Sequence, residues 1–273
     1  MSKKKKPLKI HIITDLEGAA MVFRFDQTRT GDATSEDKRQ AMRLLTREVN
    51  ACVDGILDYD SGAEVVVWDG HGSGGIVYED FHDLAQLLPH RSTPAPYGLD
   101  ETFDALFFVG QHAMAGTPGG PLAHTYSSER IEYYKLNGQP VGEFGMRACM
   151  AGTLFDVPAA FLSGDDKAVA EAQALVPRLV GVATKYGLGL ESARSLGPGL
   201  ARQLIRNGAR TACKRVRAGK IDPVRLDPPY EWEVRVKEGK ETALDGYLSR
   251  PGAARIDERS AVIRTADPRE ILR

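Results

Sequence analysis

One stretch constrains this chain more than any other: Ile12-Ile13-Thr14-Asp15-Leu16-Glu17-Gly18. An apolar, β-branched run ends at two carboxylates one residue apart and then at glycine. Leu8 to Thr14 has the composition of a buried strand. A buried strand cannot carry two bare charges inside it, so Asp15 and Glu17 belong just past its end, paired with cations or metal. In an open α/β sheet that position, outside the carboxyl ends of the strands, is where ligands bind.

The pattern recurs. Ala63 to Trp68 (AEVVVW) runs into Asp69-Gly70-His71-Gly72, and Ala105 to Gly110 (ALFFVG) runs into Gln111-His112. Between the first two strands, Met42, Leu45, Val49, Cys52 and Ile56 repeat at helical spacing, after a capping pattern at Thr34 and Asp37. A right-handed β-α-β crossover would leave the strands parallel and bring Asp15 and His71 to one edge. If the third strand is also a parallel neighbour, Asp15, Glu17, His71 and His112 converge. Carboxylates with imidazoles describe a transition-metal site, with zinc the leading ion. The glycines at 70, 72, 74 and 75 lack the Lys-Ser/Thr ending of a phosphate loop and read as flexible backbone around His71.

Farther along, Phe23 to Thr34 reads as a loop near the site, and Tyr78 to Leu88 as a short helix ending at Pro89. A Gly/Pro-rich loop carries His124-Thr125-Tyr126, and a histidine there either reaches over the site or faces solvent. Ile131 to Leu136 and Gln139 to Val141 flank Asn137-Gly138, a hairpin turn. Glu143 opens a helix, where a carboxylate is commonly a dipole partner. Val157 to Leu162 reads as a fourth strand, followed by Asp165, a helix cap. Ala183 to Leu190 reads as irregular. Pro198 opens a helix running to about Arg217. Tyr230 to Lys237 alternates apolar and polar, a half-buried strand of antiparallel type. His11, inside the first strand, reads as a core histidine.

The 273 residues sit near the upper limit for one core. The expected organisation is a basic disordered tail at 1–7, a metal-binding α/β domain at 8–190 and a smaller α+β section at 191–273. The fold class is a three-layer α/β sandwich around a largely parallel sheet. A net charge of -1 gives no reason to invoke nucleic acid or an acidic membrane. No apolar run approaches the roughly 18 residues of a membrane span. Three widely spaced cysteines, Cys52, Cys149 and Cys213, fit a reduced cytoplasmic setting better than a disulfide framework. Two zinc ions would bring about +4, against about −3 from Asp15, Glu17 and Glu143 with a bridging hydroxide as the remainder, which suits a two-metal hydrolytic site.

The segments TDLEG, DGHG, VGQHAMAGT, HTYS and GEFGMRACMAGTLFDVPAAFLSGDD together resemble the zinc-dependent D-aminopeptidase family. The resemblance extends over most of residues 8 to 210. It implies release of N-terminal D-amino acids from short peptides, with two zinc ions per chain. It assigns Asp15, Glu17, His71, His112 and Glu143 as metal ligands and His124 as the catalytic residue, proposed for the family as the nucleophile. It also implies a ring-like homo-oligomer such as a decamer. An activated water is the expected attacker, with His124 accepting a proton or stabilising the oxyanion. Asp165 is a candidate to hold the substrate α-amine. The competing readings are another metal-dependent amidohydrolase or phosphoesterase, and a non-catalytic assembly protein stabilised by metal.

Overall fold

A computed structural model describes residues 6–29 and 35–271. Most of the basic tail and the capping Thr34 lie outside these residues. In chain order the strands are β1 (Lys9–Thr14), β2 (Glu64–Trp68), β3 (Gln86–Leu88), β4 (Ala105–Gln111), β5 (Ile131–Leu136) and β6 (Gln139–Pro140). They continue as β7 (Ala159–Asp165), β8 (Val180–Gly189), β9 (Ser192–Ser195), β10 (Tyr230–Val236), β11 (Ala253–Asp257) and β12 (Ser260–Thr265). The main helices are α1 (Glu36–Tyr59), α2 (Glu143–Phe155), α3 (Asp166–Leu175) and α4 (Pro198–Arg217).

The first sheet runs β3-β2-β1-β4-β7-β8-β9 and is parallel except for the β8–β9 pair. From β1 the chain crosses through α1 to β2 on one side. From β4 it moves through α2 to β7, and through α3 to β8, on the other. Right-handed crossovers in opposite directions put α1 and α2–α3 on opposite faces. α4 packs on α1, giving three layers. Strand order therefore reverses between β1 and β4, and this switch point is where an open α/β sheet forms its crevice.

The layers are held by apolar stripes read directly from the sequence. Leu45, Val49, Cys52 and Ile56 lie along one face of α1 and are fully buried. Phe108 of β4 meets Phe144 of α2 edge-on at 4.8 Å, and Phe107 meets Phe161 of β7 at 5.5 Å. Each such side chain contributes about 1.5–3 kcal/mol by burial. All three cysteines are buried free thiols. His11 is also buried, its ring against Phe103 and its Nε2 2.9 Å from the Tyr97 carbonyl.

The second sheet, β11-β12-β10-β5-β6, is antiparallel throughout. Its β5–β6 hairpin turns at Asn137 and Gly138, both at positive φ (49° and 77°), as a tight Asn-Gly turn requires. Trp232 of β10 stacks on Tyr134 of β5, and Tyr134 in turn meets Tyr126 of the long loop before it. This sheet thus braces the loop that carries His124.

Two local expectations fail. Tyr78 to Leu88 is not a helix: a single 3-10 turn at Tyr78–Asp80 is followed by edge strand β3. The edge of β2 offers unpaired backbone groups, and pairing Val66 to Trp68 with Gln86 to Leu88 outweighs local helix preference. Ala183 to Leu190 is not irregular: all but Leu190, which opens the turn to β9, lies within β8. Its two fully buried residues are Thr184 and Lys185, so the apolar alternation that marks a strand is missing.

Candidate metal centre

Three strand ends supply the centre. Ile13 is in register with Trp68 of β2 on one side and Phe108 of β4 on the other. The residues that follow these strands therefore emerge at one level. Asp15 and Glu17 follow β1, His71 follows β2, and His112 follows β4. Glu143 arrives from the first position of α2, and His124 from the β4–β5 loop.

Asp15 lies at the middle. Its Oδ1 is 3.1 Å from His71 Nδ1 and its Oδ2 is 3.2 Å from His112 Nε2. Glu17 Oε2 is also 3.1 Å from His71 Nδ1, and Glu143 Oε1 is 3.4 Å from His112 Nε2. The His124 ring stacks on His112 with centroids 4.0 Å apart, and its Nε2 is 3.9 Å from Glu143 Oε1. Two groups of potential ligands result, Asp15-Glu17-His71 and His112-His124-Glu143, each with donor atoms within 4.8 Å of one another.

Each histidine is oriented by a backbone carbonyl. His71 Nε2 is 2.9 Å from Thr28 O, His112 Nδ1 2.9 Å from Ala113 O, and His124 Nδ1 2.8 Å from Leu122 O. A carbonyl only accepts, so the hydrogen-bond network assigns the N–H to these nitrogens. The other nitrogen of His71 and of His112 then faces carboxylate oxygens. With neutral rings this sets lone pair against lone pair, and a proton or a cation must intervene. Glu17 Oε2 and His112 Nε2 are buried without a hydrogen bond, despite these short separations. Such misalignment fits donors aimed at a shared point rather than at each other. The donor set therefore fits a metal.

Electrostatics agree. Burial disfavours the imidazolium form, but Glu17 and Asp15 raise the His71 pKa well above its ordinary value, and Asp15 and Glu143 do the same for His112. Burial pushes both glutamates up, yet the histidines prevail: Glu17 falls well below its ordinary value and Glu143 to about 2. Glu143 also accepts the Tyr126 N–H at 2.7 Å. His124 is lowered by burial and by the nearby His112. It is a neutral base at the wall of an open cleft of about 460 Å³.

Supporting groups hold the β1 loop in place. A Cβ at Gly18 would lie 2.0 Å from Gln111 O, so only glycine lets this loop cross the end of β4. Thr184 Oγ1 donates to Gly18 O at 2.8 Å, and the Lys185 ammonium donates to the carbonyls of Glu17 and Val22. Burial lowers the Lys185 pKa to about 8, against the raising effect of Asp165 and Glu48. Asp69 accepts the Gly75 N–H at 2.9 Å and fixes the glycine turn that carries His71. Thr184 and Lys185 were hidden in a stretch without strand periodicity. Asp69 was visible, as an acid opening a glycine-rich turn. The loop expected near the site does reach it, since Thr28 orients His71 and Phe25 meets the His124 ring edge-on at 5.9 Å.

Asp165 is not brought to the cleft. It is fully buried, and its carboxylate accepts N–H groups from Lys167 (2.8 Å), Ala168 (2.9 Å) and Ala113 (3.1 Å). It caps α3 and ties down the backbone beside His112.

A doubly wound sheet with paired carboxylate–imidazole groups at its switch point defines a metal-dependent hydrolase. The D-aminopeptidase family profile matches residues 8–273. The D-aminopeptidase of Bacillus subtilis (strain 168) is 31% identical over 226 residues, covering 81% of this chain and 78% of that protein. The solved structure of the Zn-dependent D-aminopeptidase DppA from Bacillus subtilis, described as a self-compartmentalizing protease, superposes with a TM-score of 0.86. It is 25% identical, with 97% of this chain and 94% of that one covered. The chain belongs to the D-aminopeptidase family, and its enzyme class is metal-dependent aminopeptidase.

Proposed function

We propose that this enzyme holds two zinc ions per chain and releases N-terminal D-amino acids from short peptides. The observation that carries the reading is Asp15, which offers one carboxylate oxygen toward His71 and the other toward His112. It joins the two donor groups into one cradle: Asp15, Glu17 and His71 on one side, Asp15, His112 and Glu143 on the other. Zinc bound there supplies polarisation of a carbonyl and acidification of water.

The chain's own residues do the rest. His124, neutral and with its Nδ1 tied to Leu122 O, keeps its Nε2 lone pair available to take a proton from the attacking water. The same nitrogen can return that proton to the departing amine. The cleft volume suits a short peptide rather than a folded chain. The D-preference and the zinc are supported by the family and by the named relatives. By likeness to the self-compartmentalizing relative, the chain is a ring-like homo-oligomer, a decamer in our reading. Light scattering that gives a monomer would reject the ring.

The main test pairs metal analysis with turnover of a dipeptide panel, each member made with a D- or an L- first residue. Two zinc ions per chain and faster cleavage of the D-series are expected. At most one metal after zinc reconstitution, or preference for the L-series, would sink the dinuclear or the D-specific part respectively.

Zinc loading is also expected to release protons at pH 7. The raised His71 and His112 hold protons at that pH without metal, and zinc must displace them. The lowered Glu17 and Glu143 are already ionised there and release none. Apparent zinc affinity should thus fall as pH falls from 8 to 6. Calorimetry in two buffers of different ionisation enthalpy measures the release. A heat independent of buffer would contradict it.

A further inference from the structure

Adjoining the cleft is a second, narrower pocket, a chamber of about 50 Å³, and Arg147 forms part of its wall. Arg147 is four residues beyond Glu143 on α2, so one turn brings both side chains to the same face. Its side chain is 9% exposed. The guanidinium carbon lies 4.2 Å from the Tyr97 ring centroid and 5.5 Å from those of both Trp68 and Tyr126. These partners are neutral. Among the described residues no carboxylate stands within 4.0 Å of the guanidinium. Aromatic faces steady a buried cation but do not neutralise it, and a buried arginine ordinarily has an anionic partner. Tyr97 also hydrogen-bonds the guanidinium, and Glu143 favours its charged form from beyond 4.0 Å, but that carboxylate already faces His112 and His124. Two zinc ions, three carboxylates and a hydroxide would come to about zero, which would leave the Arg147 charge as the excess.

We propose that Arg147 receives the side-chain carboxylate of the substrate's first residue, so that the enzyme acts on peptides beginning with aspartate or glutamate. The inference rests on the aminopeptidase reading and names its substrate class. Asp15, Gly70, Tyr126 and Glu143 line both the open cleft and the chamber. A peptide bond held over Asp15 and Glu143 therefore directs its first side chain into the chamber and the rest of the peptide into the cleft. The chamber's volume is on the order of one or two water molecules' share of the liquid, room for a short carboxylate and too little for an aromatic ring. The guanidinium fork matches a carboxylate with two parallel hydrogen bonds.

The test uses zinc-loaded enzyme and dipeptides whose first residue is aspartate, asparagine or alanine, each as the D- and the L-form. Aspartate should exceed its uncharged isostere asparagine in kcat/KM by about 10-fold or more, because only the charged group pairs with the buried cation. R147Q should lose about 10²-fold on the aspartyl substrate and far less on the alanyl one, inverting the preference, while R147K retains part of it. Equal cleavage of aspartyl and asparaginyl dipeptides by the parent enzyme overturns the proposal without any variant. Equal loss on every substrate in R147Q also overturns it, since that is what a purely structural arginine would do. If no dipeptide is cleaved, calorimetry with free D- and L-aspartate separates the two readings. Binding that R147Q abolishes keeps the carboxylate site and removes the peptidase reading; absence of binding removes this proposal.

Discussion

Replacing His124 by alanine is expected to leave the fold and both zinc ions in place while lowering kcat by about 10²–10⁴-fold, the usual contribution of a positioned acid–base group. The expectation follows from how the ring is held. Its Nδ1 is 2.8 Å from the Leu122 carbonyl, its face lies on His112 at 4.0 Å, and the residue lines the cleft. Burial depresses its pKa, so the base stays neutral to a lower pH than an ordinary imidazole. Activity should fall only when acid reaches that depressed value. A competing geometry exists, because His124 Nε2 also stands 3.9 Å from Glu143 Oε1, within the second ligand group. Metal stoichiometry and turnover must therefore be read on the same preparation. Loss of one zinc would make His124 a ligand, and near-normal turnover with full metal would make it a bystander. Trapping a substrate fragment on the imidazole of the parent enzyme would replace water by His124 as the attacking group.

Asp15→Ala should have the larger effect, abolishing both activity and dinuclear zinc binding. Among the described residues, Asp15 is the carboxylate within 4.0 Å of histidines of both groups, His71 at 3.1 Å and His112 at 3.2 Å. In the proposed two-zinc cradle Asp15 would serve both metals, so its removal would cost each of them a ligand. Loss of a merely supporting hydrogen-bond partner typically costs about 10–100-fold in metal affinity, and loss of the shared ligand should exceed that. Glu17→Gln offers the control, since Glu17 faces His71 and should weaken one zinc more than the other. Elemental analysis showing two zinc ions in Asp15→Ala would remove Asp15 from its central place.

Much of this architecture is legible in the sequence. The β-branched runs of β1, β2 and β4 announce burial on both faces, and each stops at a residue too polar to be buried unpaired. Leu45, Val49, Cys52 and Ile56 write out the inner face of α1. Asn137-Gly138 and Pro198 mark a turn and a helix start by their own backbone preferences. These are local properties, and local patterns of apolarity and backbone freedom suffice to read them. The closeness of the motifs to the family pattern then pointed to Glu143 and His124 as candidates, which periodicity could not.

What remained beyond reach depends on pairing between distant segments. β3 exists because β2 has a free edge, and β8 is a strand whose buried residues, Thr184 and Lys185, are polar because they hold the backbone of the β1 loop. Asp165 has the right charge for a substrate-binding role, and its capping hydrogen bonds spend that charge on backbone instead. The sharing of Asp15 between His71 and His112, and the enclosure of Arg147 by Trp68, Tyr97 and Tyr126, follow from strand register and helix placement. A side chain's chemistry is written at its own position in the chain. Its partners, and so its pKa and its role, are set by which remote backbone comes to lie beside it.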